Sequence, residues 1–363
     1  MNMNSAAEAR AGIAEDGTIR RALLPYVAPS TPKALALFLG TAILYGAAID
    51  VAASGAMPVW ARIAGSVIAG LAIPSLFVIG HDAAHGAFTA RRRLNAVLAR
   101  VAFLPALHNA SLWQAVHNRR HHRLPNLKGN NSWSPLSHAD YLGLSPAGRA
   151  RQRLYRSPLG FAPYYLIERW WRDKFVPRGP LPGVKPAAAW RDFSLIFFYL
   201  LVFVGTLYAV GGVISVILGF VVPFLVWNGM MGATTYLQHT GRRTPWYDSV
   251  GAWRRHGSDE QVTIQLRVPR WYGLVSHHVM DHPAHHFQPR IPLYRLPAAQ
   301  ARLNELLGER AVFEEFSPAY LLRTLRACKL YDYESRRWLD FAGNPTGVDP
   351  PAVTPRPVAA TVA

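Results

Sequence analysis

Two long apolar blocks constrain the fold of this chain more than any other feature. The first covers residues 34–80 and is interrupted near its middle by Asp50, a short Ala/Ser/Gly stretch and Pro58, whereas the second covers residues 193–237 without a charged residue. At 1.5 Å per helical residue, each block is roughly twice as long as a helix that crosses a hydrocarbon core about 30 Å thick. Each block is therefore expected to form a helical hairpin, and the predicted fold class is an all-α integral membrane protein.

Glycine and proline positions predict where each hairpin turns. We expect the turns near residues 52–57 and at Gly211 and Gly212. Two hairpins follow, with four spans at about 34–52, 58–80, 193–210 and 213–236. The predicted regions of the chain are an N-terminal cytosolic segment (1–33), a membrane domain (34–305) with a helical cap from 86–191 and 239–305, a C-terminal helical segment (306–342) and a Pro-, Ala- and Val-rich disordered tail (343–363).

Charge predicts the orientation of the spans. The chain is 50% hydrophobic yet carries a formal charge of +18, and residues 86–191 contain eighteen Lys or Arg against three Asp or Glu. Both hairpin turns are almost uncharged, so the positive-inside rule places the cap and both termini in the cytoplasm, and we expect a bacterial inner membrane. Membrane spans on both sides of the basic stretch favour contact with anionic lipid over nucleic-acid binding.

Histidines cluster just beyond the apolar blocks, on the predicted cytoplasmic side. Isolated histidines at positions 108, 138 and 256 are expected to be ordinary surface or interfacial residues. The three clusters are His81 with His85, His117 with His121 and His122, and His282 with His285 and His286. Histidines four apart on a helix share one face, and neutral imidazole is the commonest metal ligand, so each cluster can direct two or three nitrogens at one place. A single cysteine, Cys328, excludes a sulfur-ligated site within one chain. Eight imidazoles are too many for one four-coordinate zinc ion and suit two iron ions.

The three clusters resemble the histidine boxes of the integral-membrane fatty acid desaturases and related hydroxylases. That signature has the forms His-x(3–4)-His, His-x(2–3)-His-His and His-x-x-His-His, and this chain contains all three in order. Residues 236–240 (Tyr-Leu-Gln-His-Thr) resemble the family segment after the fourth span, and residues 285–294 resemble the segment that closes the third box, particularly in bacterial and plant acyl-lipid desaturases of the Δ12 type. The resemblance covers about residues 34 to 305.

The resemblance implies a cytosol-facing, non-haem di-iron centre that uses O2 and two electrons to introduce a C=C bond into an acyl chain. No catalytic residue beyond the metal centre is implied. The implied iron ligands are His81, His85, His117, His121, His122, His239, His282, His285 and His286. Candidates for supporting the ligands are His277, Asp82, Asp281 and Asn228, because a ligating imidazole commonly donates its other N–H to a neighbouring acceptor.

The substrate and the electron-transfer partner are predicted only by chemical class. The acyl chain is expected to be linked to a lipid, to CoA or to a carrier protein. No His-Pro-Gly-Gly haem-binding signature is present, so electrons are expected from a separate protein such as ferredoxin. A hydroxylase, acetylenase or alkane monooxygenase on the same di-iron core is an alternative, because only the fate of the carbon radical differs. Transporters place ionisable ligands near the bilayer midplane, whereas the predicted spans of this chain contain no histidine. A non-enzymatic metal transporter is therefore a remote alternative.

Overall fold

The computed structural model describes residues 17–130, 132–179 and 183–347, and these residues are mostly helical. A helical stretch at residues 17–22 and a 3-10 turn at Leu24–Tyr26 precede the first long helix. In chain order the α-helices are α1 (Thr31–Ala53), α2 (Val59–Ala84), α3 (Arg92–Phe103), α4 (Ala110–Gln114), α5 (His138–Leu142), α6 (Pro146–Tyr155), α7 (Phe161–Tyr164), α8 (Pro186–Val216), α9 (Val222–Leu237), α10 (Val250–His256), α11 (Asp259–Val262), α12 (Arg270–Val275), α13 (His282–Phe287), α14 (Leu296–Leu307) and α15 (Pro318–Ala327). The described π-helical segments are Ala115–His121, Tyr165–Phe175 and Ile217–Val221, and further 3-10 turns lie at Leu293–Arg295 and Gly308–Arg310.

Three helical stretches among the described residues are long and apolar enough to cross a membrane. They are Thr31–Ala53, Val59–Ala84 and the 52-residue stretch Pro186–Leu237. The first two coincide with the two spans predicted from the first apolar block, although α2 continues to Ala84 rather than ending near Gly80. The protein therefore has the helices of a membrane protein.

The long third stretch reverses direction at the predicted glycine pair. Gly211 (φ −160°, ψ 30°) and Gly212 (φ 64°, ψ −156°) are not helical, and the positive φ of Gly212 is a conformation that other residues rarely adopt. A Cβ atom added to Gly219 would lie 2.7 Å from Leu207 Cδ2, so these two residues touch. In a continuous helix, residues twelve apart would be separated by about 18 Å along the axis. The contact therefore requires the chain to fold back within α8, at Gly211 and Gly212.

Helix α2 occupies the centre of the helix bundle, and small residues allow its neighbours to approach closely. A Cβ atom added to Gly70 would lie 2.7 Å from Val226 Cβ on α9, and one added to Gly80 would lie 2.6 Å from the ring of Phe103 on α3. In contrast, α1 and α8 expose large apolar side chains, with Ile43 70% and Phe198 65% exposed. Apolar exposure on this scale is the expected surface of helices that face lipid.

The fold-class prediction of an all-α protein missed four short strands that lie among the described residues. They are β1 (Gln265–Arg267), β2 (Phe313–Glu315), β3 (Leu330–Asp332) and β4 (Arg337–Leu339). β1 pairs with β2 in parallel, with Gln265 opposite Phe313, and β3 pairs with β4 in antiparallel, with Leu330 opposite Leu339. Each strand has only three residues, which is too short for an alternating pattern to be recognised in the sequence.

The C-terminal region also differs from the expectation. Residues 306–342, expected to be helical, contain α15 together with strands β2, β3 and β4. The tail predicted to be disordered from residue 343 is ordered at its start, because the backbone N–H of Thr346 donates to the carbonyl oxygen of Trp338 at 2.8 Å and Pro345 forms a bridge with Leu339. The remainder of that predicted tail, residues 348–363, and residues 1–16 of the predicted N-terminal segment lie outside the described residues.

Candidate metal centre

The first histidine pair stands at the end of helix α2. His81 lies in the last turn of α2, and His85 is the residue that caps its C-terminus. The two imidazole rings are one helical turn apart on the same face, with centroids separated by 4.7 Å. This arrangement is the one predicted from their four-residue spacing.

A π-helical turn shapes the second cluster. Asn109 caps α4 by accepting a hydrogen bond from the backbone N–H of Leu112, and the helix then widens into a π-helix at Ala115–His121. In a π-helix residues five apart stack, and the backbone N–H of His122 donates to the carbonyl oxygen of His117 at 3.0 Å. The Nε2 atoms of His117 and His122 consequently lie 3.0 Å apart, while Nε2 of His121 lies 3.2 Å from Nε2 of His286.

The third cluster lies on the short helix α13, which follows a sharp reversal of the chain. His277 and His278 both have positive φ angles, 46° and 59°, and they redirect the chain from α12 toward α13. His239, two residues beyond α9, joins the third cluster: its Nε2 atom lies 2.8 Å from Nε2 of His282. The Nδ1 atom of His239 donates to the carbonyl oxygen of Val262 at 2.9 Å, which leaves Nε2 with a free lone pair in the neutral ring.

The nine histidines implied by the resemblance converge in two adjoining groups. In each group the candidate ligand atoms all lie within 4.8 Å of one another. The rings of His122 and His286, one from each group, are 4.4 Å apart. The first group is His81, His85, His117, His122 and His285, and the second is His121, His239, His282 and His286.

The spacing of the ring nitrogens fits metal binding. Nε2 of His81 lies 3.1 Å from Nε2 of His117, and Nε2 of His285 lies 3.0 Å from Nε2 of His122. A metal–imidazole bond is about 2.1 Å long, so two ligand nitrogens at right angles around one ion are about 3 Å apart. Neutral imidazoles facing each other through Nε2 can share at most one proton per pair, whereas a cation satisfies every lone pair in the ring of ligands. Each group of nitrogens can therefore hold a metal ion.

Burial keeps these imidazoles in the neutral form that binds metal. Burial, reinforced by repulsion from neighbouring imidazoles, holds the pKa of His117, His122 and His285 well below its usual value. Burial lowers the pKa of His239 to about 4, against the smaller, opposite effect of its hydrogen bond to the Val262 carbonyl. Protonation would place several positive charges within a few ångströms in a site with little water, which explains the direction of these shifts.

The four predicted supporting residues lie in different surroundings. Asp82 contacts the site, because its Oδ1 atom accepts from Nδ1 of His81 at 3.0 Å and its Oδ2 atom accepts from the backbone N–H of Leu293 at 2.5 Å. Asp281 instead accepts from the amide of Gln265 at 3.0 Å.

His277 and Asn228 belong to neither histidine group. The Nε2 atom of His277 and the Nδ2 atom of Asn228 are buried without a hydrogen-bond partner among the described residues.

A carboxylate that sequence reasoning missed does face the site: Oδ1 of Asp259 is 4.0 Å from Nδ1 of His286. Its partner Arg20 binds it at 2.7 Å and also donates to the carbonyl oxygen of Phe287. Neither residue belongs to a recognisable motif, and only the folded chain brings them to the third box.

His108 is a buried residue, so the expectation of a surface or interfacial position was wrong. It is 1% exposed and packs against the rings of Phe77 and Trp227. Its Nδ1 atom donates to the carbonyl oxygen of Ala106 at 2.8 Å, and burial lowers its pKa to about 3. A spacing rule cannot identify this role, because His108 stands alone in the sequence.

A cavity of about 970 Å³, part of it open to solvent, borders both histidine groups. Trp113 forms part of its wall and stacks on His117, with ring centroids 4.2 Å apart. Lys174, a buried residue on another wall, donates to the hydroxyl of Tyr165 at 3.0 Å, and burial lowers its pKa to about 7. Other apolar side chains around the cavity are Phe77, Val78, Met230, Met231 and Val279. Ligand cavities of this size are typically apolar with a few polar groups, as here.

Comparison with known proteins places the chain in a family. The family described as fatty acid desaturase matches residues 58–317. The spinach protein "Omega-6 fatty acid desaturase, chloroplastic" is 27% identical over 72% of this chain and 58% of its own length. The "sn-1 oleoyl-lipid 12-desaturase" of Picosynechococcus sp. is 25% identical over 79% of each chain.

A further relative is 30% identical over 67% of each chain, the "sn-1 acyl-lipid omega-3 desaturase (ferredoxin)" of Synechocystis sp.. The chain spans 58% and 61% of the length of the spinach and soybean relatives. The family match covers well over half of this chain and includes all three boxes together with His239. The chain therefore belongs to the fatty acid desaturase family.

Proposed function

We propose that this protein is an O2-dependent fatty acyl desaturase that introduces a C=C bond into an acyl chain at a histidine-ligated, non-haem di-iron centre. One observation carries the proposal: nine neutral imidazoles form two adjoining groups at the edge of an apolar cavity. The first group offers five nitrogens and the second offers four, which suits one ion in each. Purely nitrogen donor sets of this kind accept first-row transition metals, iron among them.

The two irons, when bound, supply the redox chemistry that reduces O2 and removes two hydrogens from adjacent methylene carbons, which no amino-acid side chain can perform. In the overall balance, the acyl chain gives two electrons and two protons, the electron donor gives two electrons, and two further protons complete two molecules of water. The protein positions the ligands. Asp82 and the carbonyl of Val262 accept the Nδ1–H of His81 and His239, so that Nε2 of each ring is available to a metal.

The cavity orients the acyl chain, and the bound chain excludes water from the histidine groups. Trp113 stacks on His117, so an acyl chain lying along the indole face is brought next to the first histidine group. Phe77 and Met231 provide further apolar contact for the chain. Holding one carbon pair against the metals in a dry site supplies the proximity that the reaction needs and suppresses side reactions with water.

We also propose four spans in two hairpins, with the histidine groups facing the cytoplasm. The fold-back at Gly212 and the basic stretch 86–191 support this arrangement. A cysteine introduced at Ser145 should resist a membrane-impermeant reagent applied from outside the cell, whereas one at Ser54 should react. The native thiol Cys328 is buried and gives little background. Labelling at Ser145 with protection at Ser54 would reverse the orientation.

A small electron-transfer protein such as ferredoxin is the proposed electron donor. The Synechocystis relative carries ferredoxin in its name. The net charge of +18 favours association with an acidic carrier, because complementary charge speeds the encounter of two proteins.

Lipid analysis tests the proposed reaction. We expect expression in a host of simple lipid composition to add unsaturated acyl chains, detected by mass spectrometry that locates the double bond. His121→Ala should abolish the product, because His121 belongs to the second histidine group. The matched control is His138→Ala, which removes a histidine outside both groups. A hydroxylated or acetylenic main product would assign the same core to those reactions, and full activity of His121→Ala would refute the metal site.

A further inference from the structure

A second cavity, of about 710 Å³, adjoins the histidine-bordered cavity and is strongly basic. Val116, Asn130 and Arg169 line both cavities, so the two spaces share a wall. The arginines around the second cavity are Arg120, Arg169, Arg172 and Arg178, and Asp173 is the acidic residue in its lining. We call this space the arginine pocket.

Two of the four arginines are paired, and the pocket keeps an excess of positive charge. Arg169 binds Asp173 at 3.1 Å, and Arg172 binds Glu168 at 2.7 Å. No described carboxylate lies within 4.0 Å of Arg120 or Arg178, so an excess of two charges remains. The Nε atom of Arg169 is buried and has no hydrogen-bond partner among the described residues. An unpaired buried donor of this kind is costly unless a ligand accepts from it.

Exposed apolar side chains stand beside the pocket arginines along the chain and mark a membrane interface. Ile167 is 47% exposed and Trp171 is 44% exposed, and both lie on the π-helical segment that carries Arg169 and Arg172. Arg178 lies over the ring of Trp171 at 5.8 Å. Exposed tryptophans beside arginines are typical of the headgroup region of a bilayer, where the ring contacts acyl chains and the cation contacts phosphate.

We propose that the arginine pocket binds the phosphate of an anionic phospholipid whose acyl chain enters the histidine-bordered cavity. Arginine suits this role because its planar guanidinium donates two parallel hydrogen bonds to phosphate oxygens. The shared wall places the headgroup site beside the acyl site. The proposal deepens the desaturase function, on which it rests for the identity of the acyl chain, and it selects a phosphate-bearing headgroup over a neutral sugar headgroup. Phosphate is also present in acyl-CoA, so the experiment separates the two sources.

Binding measured without turnover tests this site. Purified protein in a polyoxyethylene detergent, which carries no phosphate, is kept without an electron donor so that no turnover occurs. It is titrated with dioleoyl phosphatidylglycerol, with a dioleoyl galactolipid or with oleoyl-CoA, and retained ligand is counted by native mass spectrometry. The double variant Arg120→Gln/Arg178→Gln removes the two arginines without a carboxylate partner. The control Arg92→Gln/Arg93→Gln removes two exposed arginines at the start of α3 and the same amount of charge.

We expect the double variant to bind phosphatidylglycerol about tenfold or more weakly than the wild type, because charge-assisted contacts to phosphate are lost. The control variant should remain within about twofold, and galactolipid binding should not change. Equal phosphatidylglycerol binding by the double variant and the wild type would overturn the proposal. So would an arginine-dependent preference for oleoyl-CoA over phosphatidylglycerol.

This outcome is distinguishable from a failure of the proposed reaction. If the arginine-dependent binding is found but no unsaturated product forms in cells, the headgroup site stands and the desaturase reaction fails. Normal iron content and an unchanged melting temperature of the double variant show that the substitution of Arg120, next to His121, has not disturbed the histidine groups.

Discussion

Asp82 links the first histidine box to the segment that follows the third, and its removal should loosen metal binding. The carboxylate is 1% exposed, accepts from His81 Nδ1 at 3.0 Å and accepts from the backbone N–H of Leu293 at 2.5 Å. In Asp82→Asn the side chain keeps its size, but only one of the two oxygens remains as an acceptor. One buried N–H is then left facing an amide NH2 group.

The expected magnitude follows from these two contacts. Leaving a buried hydrogen-bond donor without its partner costs about 1–3 kcal/mol. Replacing the partner of a ligating histidine lowers metal affinity about 10- to 100-fold, which corresponds to about 1.4–2.8 kcal/mol. The two estimates agree, so we expect Asp82→Asn to release iron at a chelator concentration about 10- to 100-fold lower than the wild type does.

The assay is iron retained by purified protein across a chelator series, with melting temperature measured in parallel. Asp192→Asn is the matched control, because Asp192 is 2% exposed and accepts from Arg100 at 2.8 Å and from the Ser111 hydroxyl at 2.6 Å, with no histidine among these partners. The control should lower the melting temperature and leave the chelator midpoint unchanged. Wild-type iron retention by Asp82→Asn, or an equal shift in Asp192→Asn, would refute the reasoning.

Two further predictions concern the hairpin turn and pH. Gly212→Val should destabilise the protein by about 1–3 kcal/mol through backbone strain alone, because φ +64° with ψ −156° is a conformation essentially confined to glycine and a Cβ atom there meets nothing within 4 Å. Gly205→Ala, in helical backbone with equally open space, should not destabilise the protein, and equal melting temperatures for both variants would contradict this. Burial lowers the pKa of His108 to about 3 and that of His239 to about 4, below the unfolded value of about 6.5. As the pH falls, the unfolded chain therefore binds more protons than the folded chain does. The melting temperature of iron-free protein should drop from pH 7 to pH 4, and it should drop less steeply in His108→Gln. A flat profile would contradict the assignment of buried neutral histidines.

Features that depend on length and local chemistry could be predicted from the sequence. The 193–237 block was too long for one span, and Gly211 and Gly212 marked its reversal because glycine tolerates the required backbone. The spacing of His81 and His85 correctly placed both rings on one face of a helix. His239 could be selected only through the family resemblance, since a single histidine after a span has no spacing to distinguish it.

Features that depend on unusual backbone or distant contacts could not be predicted. The sequence contains no signal for the π-helix that brings Nε2 of His122 to within 3.0 Å of Nε2 of His117. Asp82 and Asp281 both adjoin a box histidine, yet only Asp82 contacts one, because Asp281 is turned toward Gln265. Asp259 reaches the third box from a separate helix. Such partners are determined by tertiary packing rather than by position in the chain.

Metal analysis of the purified protein tests the central claim most directly. We predict about two irons per chain, one for each histidine group, and loss of about half of the iron in the double variant His239→Ala/His282→Ala, which removes two of the four nitrogens of the second group. Mass spectrometry of the metals, together with Mössbauer spectroscopy of iron-57-enriched protein, provides the count and the number of iron environments. Zinc in place of iron, a single metal ion per chain, or two irons retained by the double variant would contradict the account.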